Sequence, residues 1–218
     1  FHYSMIILDE VQDITPLYYE FVCKFIKDSN EYPKMCILGD KFQTIYNFLG
    51  SDEKFISMAE HVFNYNKMPW KRLKLSESFR VPIEHARFLN TCMLKEERIV
   101  SRKISDKCLK PRYIFCDAYA KRPFIEVEHY LSEGYLTEEI FIIAPSIKNS
   151  KSPVKVLANL LSENKYPVFI PSSDEEKIEE DMITNKIVFA TFHQIKGLER
   201  KVIICYGVDD GYYKYNAQ

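Results

Sequence analysis

An apolar run that ends in two adjacent carboxylates constrains the fold more than any other feature of the sequence. Residues 5–8 are Met-Ile-Ile-Leu, and Asp9 and Glu10 follow them directly. Four apolar residues without alternation predict a strand of a parallel sheet that is covered on both faces. Because ligands bind beyond the carboxyl ends of such strands, Asp9 and Glu10 are candidates for holding a divalent cation and activating a water. A helix-capping acid or a solvated turn would give the same local pattern.

The residues after this strand predict a parallel α/β unit. Thr15 and Pro16 are typical of an N-cap and a first helical residue. One face of the predicted helix is apolar and carries Leu17, Phe21, Val22, Phe25 and Ile26. A second apolar run over 34–40 predicts the next strand, and strand, helix and strand in this order form one α/β unit. Residues 41–51 then form a loop at the ligand-binding edge of the sheet.

The remaining chain predicts further α/β structure. We place the domain boundary in the basic connector 67–72, which divides the chain into 1–72 and 73–218. Residues 95–108 are charged and are predicted to be a solvated linker. Helices are predicted over 52–65, 81–94, 122–133 and 152–164. Strands are predicted over 112–116, 140–144, 166–170, 187–190 and 202–206, and a solvated acidic loop over 174–181.

Charge and cysteine content limit the classes of function. The formal net charge of −1 provides no global attraction for phosphate, so a nucleic-acid partner would need a local basic groove. The six cysteines form no Cys-x-x-Cys pair, which favours buried, reduced thiols. We therefore expect an intracellular, reducing compartment, cytoplasm or nucleus, with a viral origin left open. No apolar stretch approaches the ~20 residues that cross a bilayer.

Four segments, in one order along the chain, resemble motifs of UvrD/Rep-like superfamily 1 DNA helicases. Residues 6–13, Ile-Ile-Leu-Asp-Glu-Val-Gln-Asp, resemble the Walker B motif, and residues 38–51 resemble the third motif. Residues 75–80, Leu-Ser-Glu-Ser-Phe-Arg, are similar to the fourth motif, and residues 191–199 to the fifth. The resemblance implies a RecA-like P-loop NTPase motor: an α/β fold of parallel sheets with flanking helices in two lobes, the first incomplete. It also implies ATP and Mg²⁺ as cofactors.

The resemblance implies nucleotide-site roles for several residues. Asp9 and Glu10 would serve Mg²⁺, and Glu10 would activate the hydrolytic water. Gln43 would sense the γ-phosphate, and Arg80 would be an arginine finger from the second motor domain. The remaining residues assigned to the nucleotide site are Phe79, stacking on the base, Gly197, permitting a tight turn, and Glu199, near the ribose.

The resemblance also implies a DNA strand as partner, either single-stranded or at a junction with duplex, with accessory replication or repair proteins as further partners. Tyr46 and Phe48 would stack on bases, and Thr191 and His193 would contact the strand backbone. Without the motif, the aromatic residues would be read as core and the histidine as structural. The expected activity is ATP-dependent 3′-to-5′ translocation on DNA.

The sequence departs from the helicase pattern in three places. It contains no Gly-x-x-x-x-Gly-Lys-Ser/Thr loop, and no final arginine motif follows the fifth motif before Gln218. We therefore expect a fragment that hydrolyses ATP weakly or not at all by itself. In the third motif, Asn47 and Leu49 stand where relatives commonly carry arginines, which weakens the prediction of DNA-backbone contacts there.

Two other functions fit parts of the sequence. A metal-dependent nuclease would use Asp9, Glu10, Asp13 and Asp40, and it would leave residues 191–199 unexplained. A non-catalytic scaffold or DNA-binding protein derived from a helicase would keep the fold and lose ATP turnover.

Overall fold

The computed structural model describes residues 3–29, 32–65, 69–103, 110–148, 152–174 and 176–208, without the side chain of Phe48. The chain divides into two compact units, Phe1–Tyr113 and Ile114–Gln218. Residues 73–113 therefore pack with the first unit, although the sequence suggested a boundary in the connector 67–72. The assignment of two motor domains to 1–72 and 73–218 stays a prediction.

The first unit contains the predicted α/β unit. Strand β1 (Met5–Leu8) pairs in parallel with β2 (Lys34–Ile37), and helix α1 (Pro16–Lys27) connects them. The Thr15 hydroxyl accepts a hydrogen bond from the backbone N–H of Tyr18 at 3.4 Å, as expected for an N-cap. The sequence therefore predicted this unit correctly, including the residue at which its helix begins.

The side chains of β1 and α1 are less buried than the sequence predicted. Ile7 on β1 is 60% exposed, so the prediction of a strand covered on both faces is wrong. On α1 only Ile26 is buried, whereas Leu17 and Phe21 are exposed. A run of apolar residues identifies a strand or helix, but it does not show whether other elements cover both sides.

One face of the β1–β2 sheet packs against the residues that follow the 41–51 loop. The predicted helix over 52–65 is present as two short helices, α2 (Lys54–Ser57) and α3 (Ala59–Val62). Buried Val11, Phe55 and Phe63 form a cluster with half-buried residues of both strands, among them Leu8 and Met35. This cluster fixes the turn after β1 against the rest of the first unit.

The second part of the first unit contains a separate parallel pair. Strand β3 (Glu77–Pro82) leads into helix α4 (Ile83–Phe88) and a π-helical turn at Leu89–Leu94. The helix predicted over 81–94 is therefore present, but Val81 and Pro82 belong to the strand before it. Strand β4 (Val100–Lys103) pairs with β3. Residues 100–103 are therefore a strand and not the linker that their charges suggested. Residues 104–109 lie outside the described part.

The second unit is a four-stranded parallel sheet in the order β6-β7-β5-β8. Central strands β5 (Ile140–Ala144) and β7 (Ile187–Thr191) are buried along their whole length. The outer strands are β6 (Val168–Phe169) and β8 (Val202–Cys205). The flanking helices are α5 (Arg122–Ser132) and α6 (Pro153–Glu163), which confirm the predicted helices.

Two predictions for the second half are wrong. Residues 112–116 form no strand in the structure, and Phe115 is 94% exposed. The acidic stretch 174–181 is not wholly a loop, because α7 (Glu180–Ile183) begins within it and buries Ile183. For α7, the packing of Ile183 against Phe141 and Val188 explains the difference.

The described cysteines are free thiols, but they are not buried as predicted. Cys23 and Cys36 are half-buried, and Cys92, Cys116 and Cys205 are exposed. Cys108 lies outside the described residues. Within the described ranges, none of the helices combines the length and apolar character that crossing a bilayer requires.

Candidate functional site

The turn after β1 presents the Asp9–Glu10 pair to solvent. Glu10 has a left-handed backbone conformation, with φ 52° and ψ 39°, and its N–H donates to Asp9 Oδ1 at 2.8 Å. The left-handed region is unfavourable for a glutamate, and such backbone conformations concentrate at functional sites. The Val11 N–H then donates to the Leu38 carbonyl at 3.0 Å, which joins the turn to the end of β2. The two strand ends therefore form one edge that carries both carboxylates.

A buried glutamine lies beneath these carboxylates. Gln12 is fully buried, and its Nε2 donates to Glu10 Oε2. Its Oε1 accepts from the backbone N–H of Asp40 at 3.0 Å. The sequence analysis assigned no role to Gln12, although its position in the Walker B-like segment is a signal that could have singled it out. The side chain connects the acidic turn to the loop that follows β2.

Asp40 organises the start of that loop. Its Oδ1 accepts from the Phe42 N–H at 3.0 Å, and its Oδ2 accepts from Gln43 Nε2 at 3.2 Å. The Arg98 guanidinium lies 2.6 Å from Oδ1. Partial burial acts to raise the pKa of Asp40, but the hydrogen bonds from Arg98, Phe42 and Gln43 outweigh it and hold the pKa below the ordinary value of 3.8. Asp40 is therefore a carboxylate at neutral pH.

Arg98 is a second residue that the sequence analysis missed. Besides its ion pair with Asp40, its guanidinium lies 4.7 Å from the centroid of the Phe42 ring. The Asn90 side chain accepts from the N–H groups of Arg98 and Ile99, at 3.2 and 3.0 Å, and so fixes the backbone that carries the guanidinium. Arg98 therefore restrains the 41–51 loop from a segment distant in the chain.

We expect Arg98→Ala to lower the free energy of unfolding by about 1–2 kcal/mol at pH 7, because it removes a charge-assisted hydrogen bond and a cation–π contact. Since the pKa of Asp40 is lowered by folding, the ion pair contributes fully above the ordinary pKa of 3.8 and its contribution is lost as the pH falls through the lowered value. The measurement is urea unfolding of both proteins at several pH values.

Arg87→Ala is the matched control for Arg98→Ala, because Arg87 forms an exposed pair with Glu84 one turn away on α4. Its expected cost is about 0.5 kcal/mol or less. Equal stability losses for the two variants, or a loss from Arg98→Ala that persists unchanged in acid, would show that the Arg98–Asp40 pair does not restrain the loop.

The 41–51 loop carries the residues that we predicted to contact the γ-phosphate and DNA. They lie close to Asp40 in sequence. Gln43 is exposed at the end of the 3₁₀ turn Lys41–Gln43. Tyr46 is half-buried and precedes a second 3₁₀ turn, Asn47–Leu49. The side chain of Phe48 lies outside the described part. The structure thus brings Gln43 to the acidic edge through Asp40, while the base-stacking roles of Tyr46 and Phe48 stay predictions.

Phe79 and Arg80 lie on β3 in the first compact unit. Phe79 is 76% exposed, and Arg80 is also exposed. The backbone N–H of Val81 donates to the Ser78 hydroxyl at 3.0 Å, which shapes the end of the strand. The roles of Phe79 as base-stacking residue and of Arg80 as arginine finger stay predictions.

The fifth-motif segment follows β7 in the second unit. Thr191 is buried, and Gln194 Oε1 accepts from its backbone N–H at 2.9 Å. Gln194 Nε2 donates to the carbonyl oxygens of Ser173 and Glu176, each at 2.9 Å, so it connects this segment to those two residues. Sequence analysis missed Gln194, whose long-range partners leave no local signal.

The other fifth-motif residues are more accessible. His193 and Glu199 are exposed, and Gly197 has φ 85°, which confirms the predicted tight turn. A side chain at Gly197 would meet no atom within 4 Å, so the backbone conformation alone favours glycine. The DNA role of His193 and the nucleotide role of Glu199 stay predictions.

The donor set at the acidic edge suits a cation that is shared with phosphates. Asp9 and Glu10 offer exposed carboxylate oxygens, the ligand type that Mg²⁺ prefers, and nucleotide sites commonly hold Mg²⁺ through one or two carboxylates. Within the described part of the chain, no three His, Cys, Asp or Glu side chains cluster as a metal site. The four-carboxylate cluster of the nuclease hypothesis is therefore not assembled there.

A comparison with protein families matches residues 1–64 to the UvrD/REP helicase N-terminal domain. The matched segment contains Asp9, Glu10, Gln12, Asp40 and Gln43, and it confirms the UvrD/Rep-like resemblance. The α/β architecture with parallel sheets and flanking helices agrees with a RecA-like helicase fold. No curated protein shows significant similarity to the chain.

Proposed function

Because residues 1–64 match the UvrD/REP helicase N-terminal domain, we propose that the chain is part of the motor of an ATP-dependent DNA helicase or translocase. The observation that carries the proposal is the Asp9–Glu10 turn, which lies in the matched segment at the carboxyl end of a parallel strand. Gln12 and Asp40 support that turn from beneath. The left-handed backbone of Glu10 supports the proposal, because such conformations concentrate at functional sites.

In the proposed mechanism, Asp9 would hold the Mg²⁺ that accompanies ATP, and the ion would supply positive charge beside the phosphates. Glu10 orients the attacking water and accepts its proton. Gln43 would hydrogen-bond near the γ-phosphate, and its Nε2 donates to Asp40 Oδ2 at the same edge. These three residues lie on consecutive segments at one sheet edge, which supports the division of roles.

We assign the remaining nucleotide contacts on the motif resemblance. Phe79 would stack on the base, and the always-charged Arg80 guanidinium would neutralise charge that develops on the γ-phosphate. The Gly197 turn would bring the backbone to the nucleotide, and Glu199 would contact the ribose. The exposure of Phe79, Arg80 and Glu199 supports these assignments.

We also assign the DNA contacts of each unit on the motif resemblance. Tyr46 and Phe48 would stack on bases without sequence preference, because every base has a π face. His193 and Thr191 would contact the strand backbone. Since the Thr191 hydroxyl lies 3.2 Å from Gln194 Oε1, a direct contact from Thr191 would require this pair to open.

The test is ATP hydrolysis by the full-length protein with Mg²⁺, with and without single-stranded DNA. We expect turnover that requires the metal and rises with DNA, and we expect movement toward the 5′ end on partial duplexes with single-stranded tails. Metal-dependent DNA cleavage without nucleotide would support the nuclease instead. DNA binding without any turnover would support the scaffold.

A further inference from the structure

We propose that Gln194 is a positioning residue for the DNA contact of the fifth-motif segment 191–199. Its side-chain amide connects this segment to the residues that follow β6, and the connection sets the position of His193. The inference rests on the proposed function and deepens it, because it assigns part of the DNA affinity to a residue that acts through His193. The helicase family match covers residues 1–64 and assigns no role to Gln194.

The connection lies where three neighbouring parallel strands end. Gln194 follows β7, and its Nε2 donates to residues that follow β6, the strand paired with β7 on one side. The strand on the other side of β7 is β5. After β5, the Ile147 N–H and the Ser146 hydroxyl donate to the Asp174 carboxylate at 3.0 and 3.1 Å. Since ligands bind beyond the carboxyl ends of parallel strands, these bonds lie at the edge where a DNA contact is expected.

The hydrogen bonds of the Gln194 amide determine its orientation. The Thr191 backbone N–H can only donate, so the atom 2.9 Å from it must be Oε1. The same oxygen lies 3.2 Å from the Thr191 hydroxyl. Nε2 donates to the carbonyl oxygens of Ser173 and Glu176, each at 2.9 Å, and a carbonyl oxygen can only accept. The amide thus makes two bonds through its oxygen and two through its nitrogen, which fixes one orientation of the side chain.

The apolar side chains of the segment hold it from beneath. They pack against the buried cluster of β5, β7 and α7, and they belong to Phe192, Ile195 and Leu198. The Leu198 N–H donates to the Ile195 carbonyl at 2.9 Å, which closes the turn around Gly197. His193 lies between these anchored positions and is exposed. Core packing and the Gln194 amide together therefore place the His193 ring at the carboxyl edge of the sheet.

The same amide engages the Thr191 hydroxyl. Thr191 is 2% exposed, and its hydroxyl oxygen also lies 3.4 Å from the backbone nitrogen of Gln194, which donates to it. In this arrangement the segment presents His193 to a DNA strand, while Thr191 supports the turn. Loss of the Gln194 amide would therefore weaken DNA binding through a change in the position of His193.

Gln194→Met tests the proposal, because it removes the bonds of the amide at similar volume. In the full-length protein without nucleotide, the Kd for a labelled single-stranded DNA should rise about 5- to 10-fold, as expected for one or two lost hydrogen bonds. His193→Ala should raise the Kd about fivefold. The double variant should bind no more than about twofold more weakly than the weaker single variant, because one residue acts through the other. Independent effects, which multiply to about 25-fold or more, would overturn the proposal.

Thr137→Val is the matched control for general destabilisation. The Thr137 hydroxyl donates to the Asn185 carbonyl at 3.0 Å and joins the residues before β5 to those before β7. This bond also connects segments distant in the chain, but it lies at the opposite edge of the same sheet. The variant should lower stability and leave the Kd for DNA unchanged. Equal weakening of DNA binding by Thr137→Val and Gln194→Met would overturn the proposal.

Asp174→Ala acts from the other side of the connection and keeps the test available if Gln194→Met does not fold. It removes the bonds to Ser146 and Ile147 and leaves Gln194 itself unchanged. Removing a negative charge by itself strengthens binding to a polyanion. We nevertheless expect the Kd for DNA to rise about two- to fivefold, because the carbonyl groups that hold Gln194 lose an anchor. An unchanged or lower Kd would overturn the proposal.

A readout without turnover separates this inference from the proposed function. The Thr191 backbone amide should exchange slowly with solvent in the wild type and about tenfold faster or more in Gln194→Met. If the wild type binds DNA with this dependence on Gln194 but hydrolyses no ATP, the proposed function fails and the inference stands. If it binds no single-stranded DNA, or if the Thr191 amide exchanges fast, the inference is overturned, while ATP turnover would still support the nucleotide site.

Discussion

Glu10→Gln is expected to lower ATP turnover of the full-length protein by about 10²- to 10⁴-fold, the range for loss of a general base. The amide keeps the size of the side chain and cannot accept the proton of the attacking water. Asp9 remains available for the metal, so the Kd for ATP should change less than about threefold. Turnover is measured at saturating ATP and DNA, and nucleotide binding by equilibrium titration.

Glu20→Gln is the matched control for Glu10→Gln, because Glu20 is an exposed glutamate on α1 of the same unit. It should leave both turnover and nucleotide binding unchanged. If Glu10→Gln hydrolyses ATP at the wild-type rate, Glu10 does not activate the water. If it loses nucleotide binding and turnover together, its main role is to hold the metal.

Phe189→Ala is expected to lower the free energy of unfolding of the second unit by about 3–5 kcal/mol, the cost of removing a large aromatic side chain from a core. Phe189 is fully buried on β7, which pairs with β5 on one side and β6 on the other. It packs in a cluster with Ile142, Leu157 and Leu161 from β5 and α6. The cavity would therefore open where the sheet meets its covering helix.

Ile203→Ala provides the comparison, because Ile203 is 52% exposed on the outer strand β8. Its expected cost is about 1 kcal/mol or less, since little apolar area is lost. Urea unfolding followed by far-ultraviolet circular dichroism measures both variants. Similar losses for the two would show that Phe189 does not lie in the main core of the second unit.

The elements that sequence reasoning placed correctly are those whose signals are local. Thr15 and Ser152 begin helices because each hydroxyl accepts a backbone N–H and a proline follows each. Strands β5 and β7 are continuous apolar runs, and burial on both faces requires no polar alternation. In these places a few neighbouring residues contain the information that the fold uses.

The errors arise where distant contacts decide. Strand β4 contains Val-Ser-Arg-Lys, a sequence without an apolar face, and it forms because β3 offers a partner. Strand β1 has the same kind of apolar run as β5, yet it is half covered because the described residues provide a covering layer on one face only. Pattern alone cannot distinguish the two strands.

In the candidate site, too, residues with local sequence signals could be predicted and residues defined by long-range contacts could not. Asp9, Glu10 and Gln43 could be selected from the sequence because motif spacing places them at strand ends. Arg98 could not, because its partner Asp40 is far away in the chain and it is one of four consecutive charged residues, 95–98. Gln12 belongs to the Walker B-like segment, but the sequence does not show that its side chain is buried and makes two hydrogen bonds.

The location of the bound nucleotide metal tests the central claim most directly. With Mn²⁺ in place of Mg²⁺, ATP bound to the full-length protein should broaden the NMR signals of the amides at residues 9–12 and 40–43, because a paramagnetic ion relaxes nearby nuclei. The same complex with Mg²⁺ provides the comparison, and its signals should remain sharp because Mg²⁺ is diamagnetic. Sharp signals at 9–12 with saturating Mn²⁺-ATP would contradict the assignment of Asp9 and Glu10 to the nucleotide site.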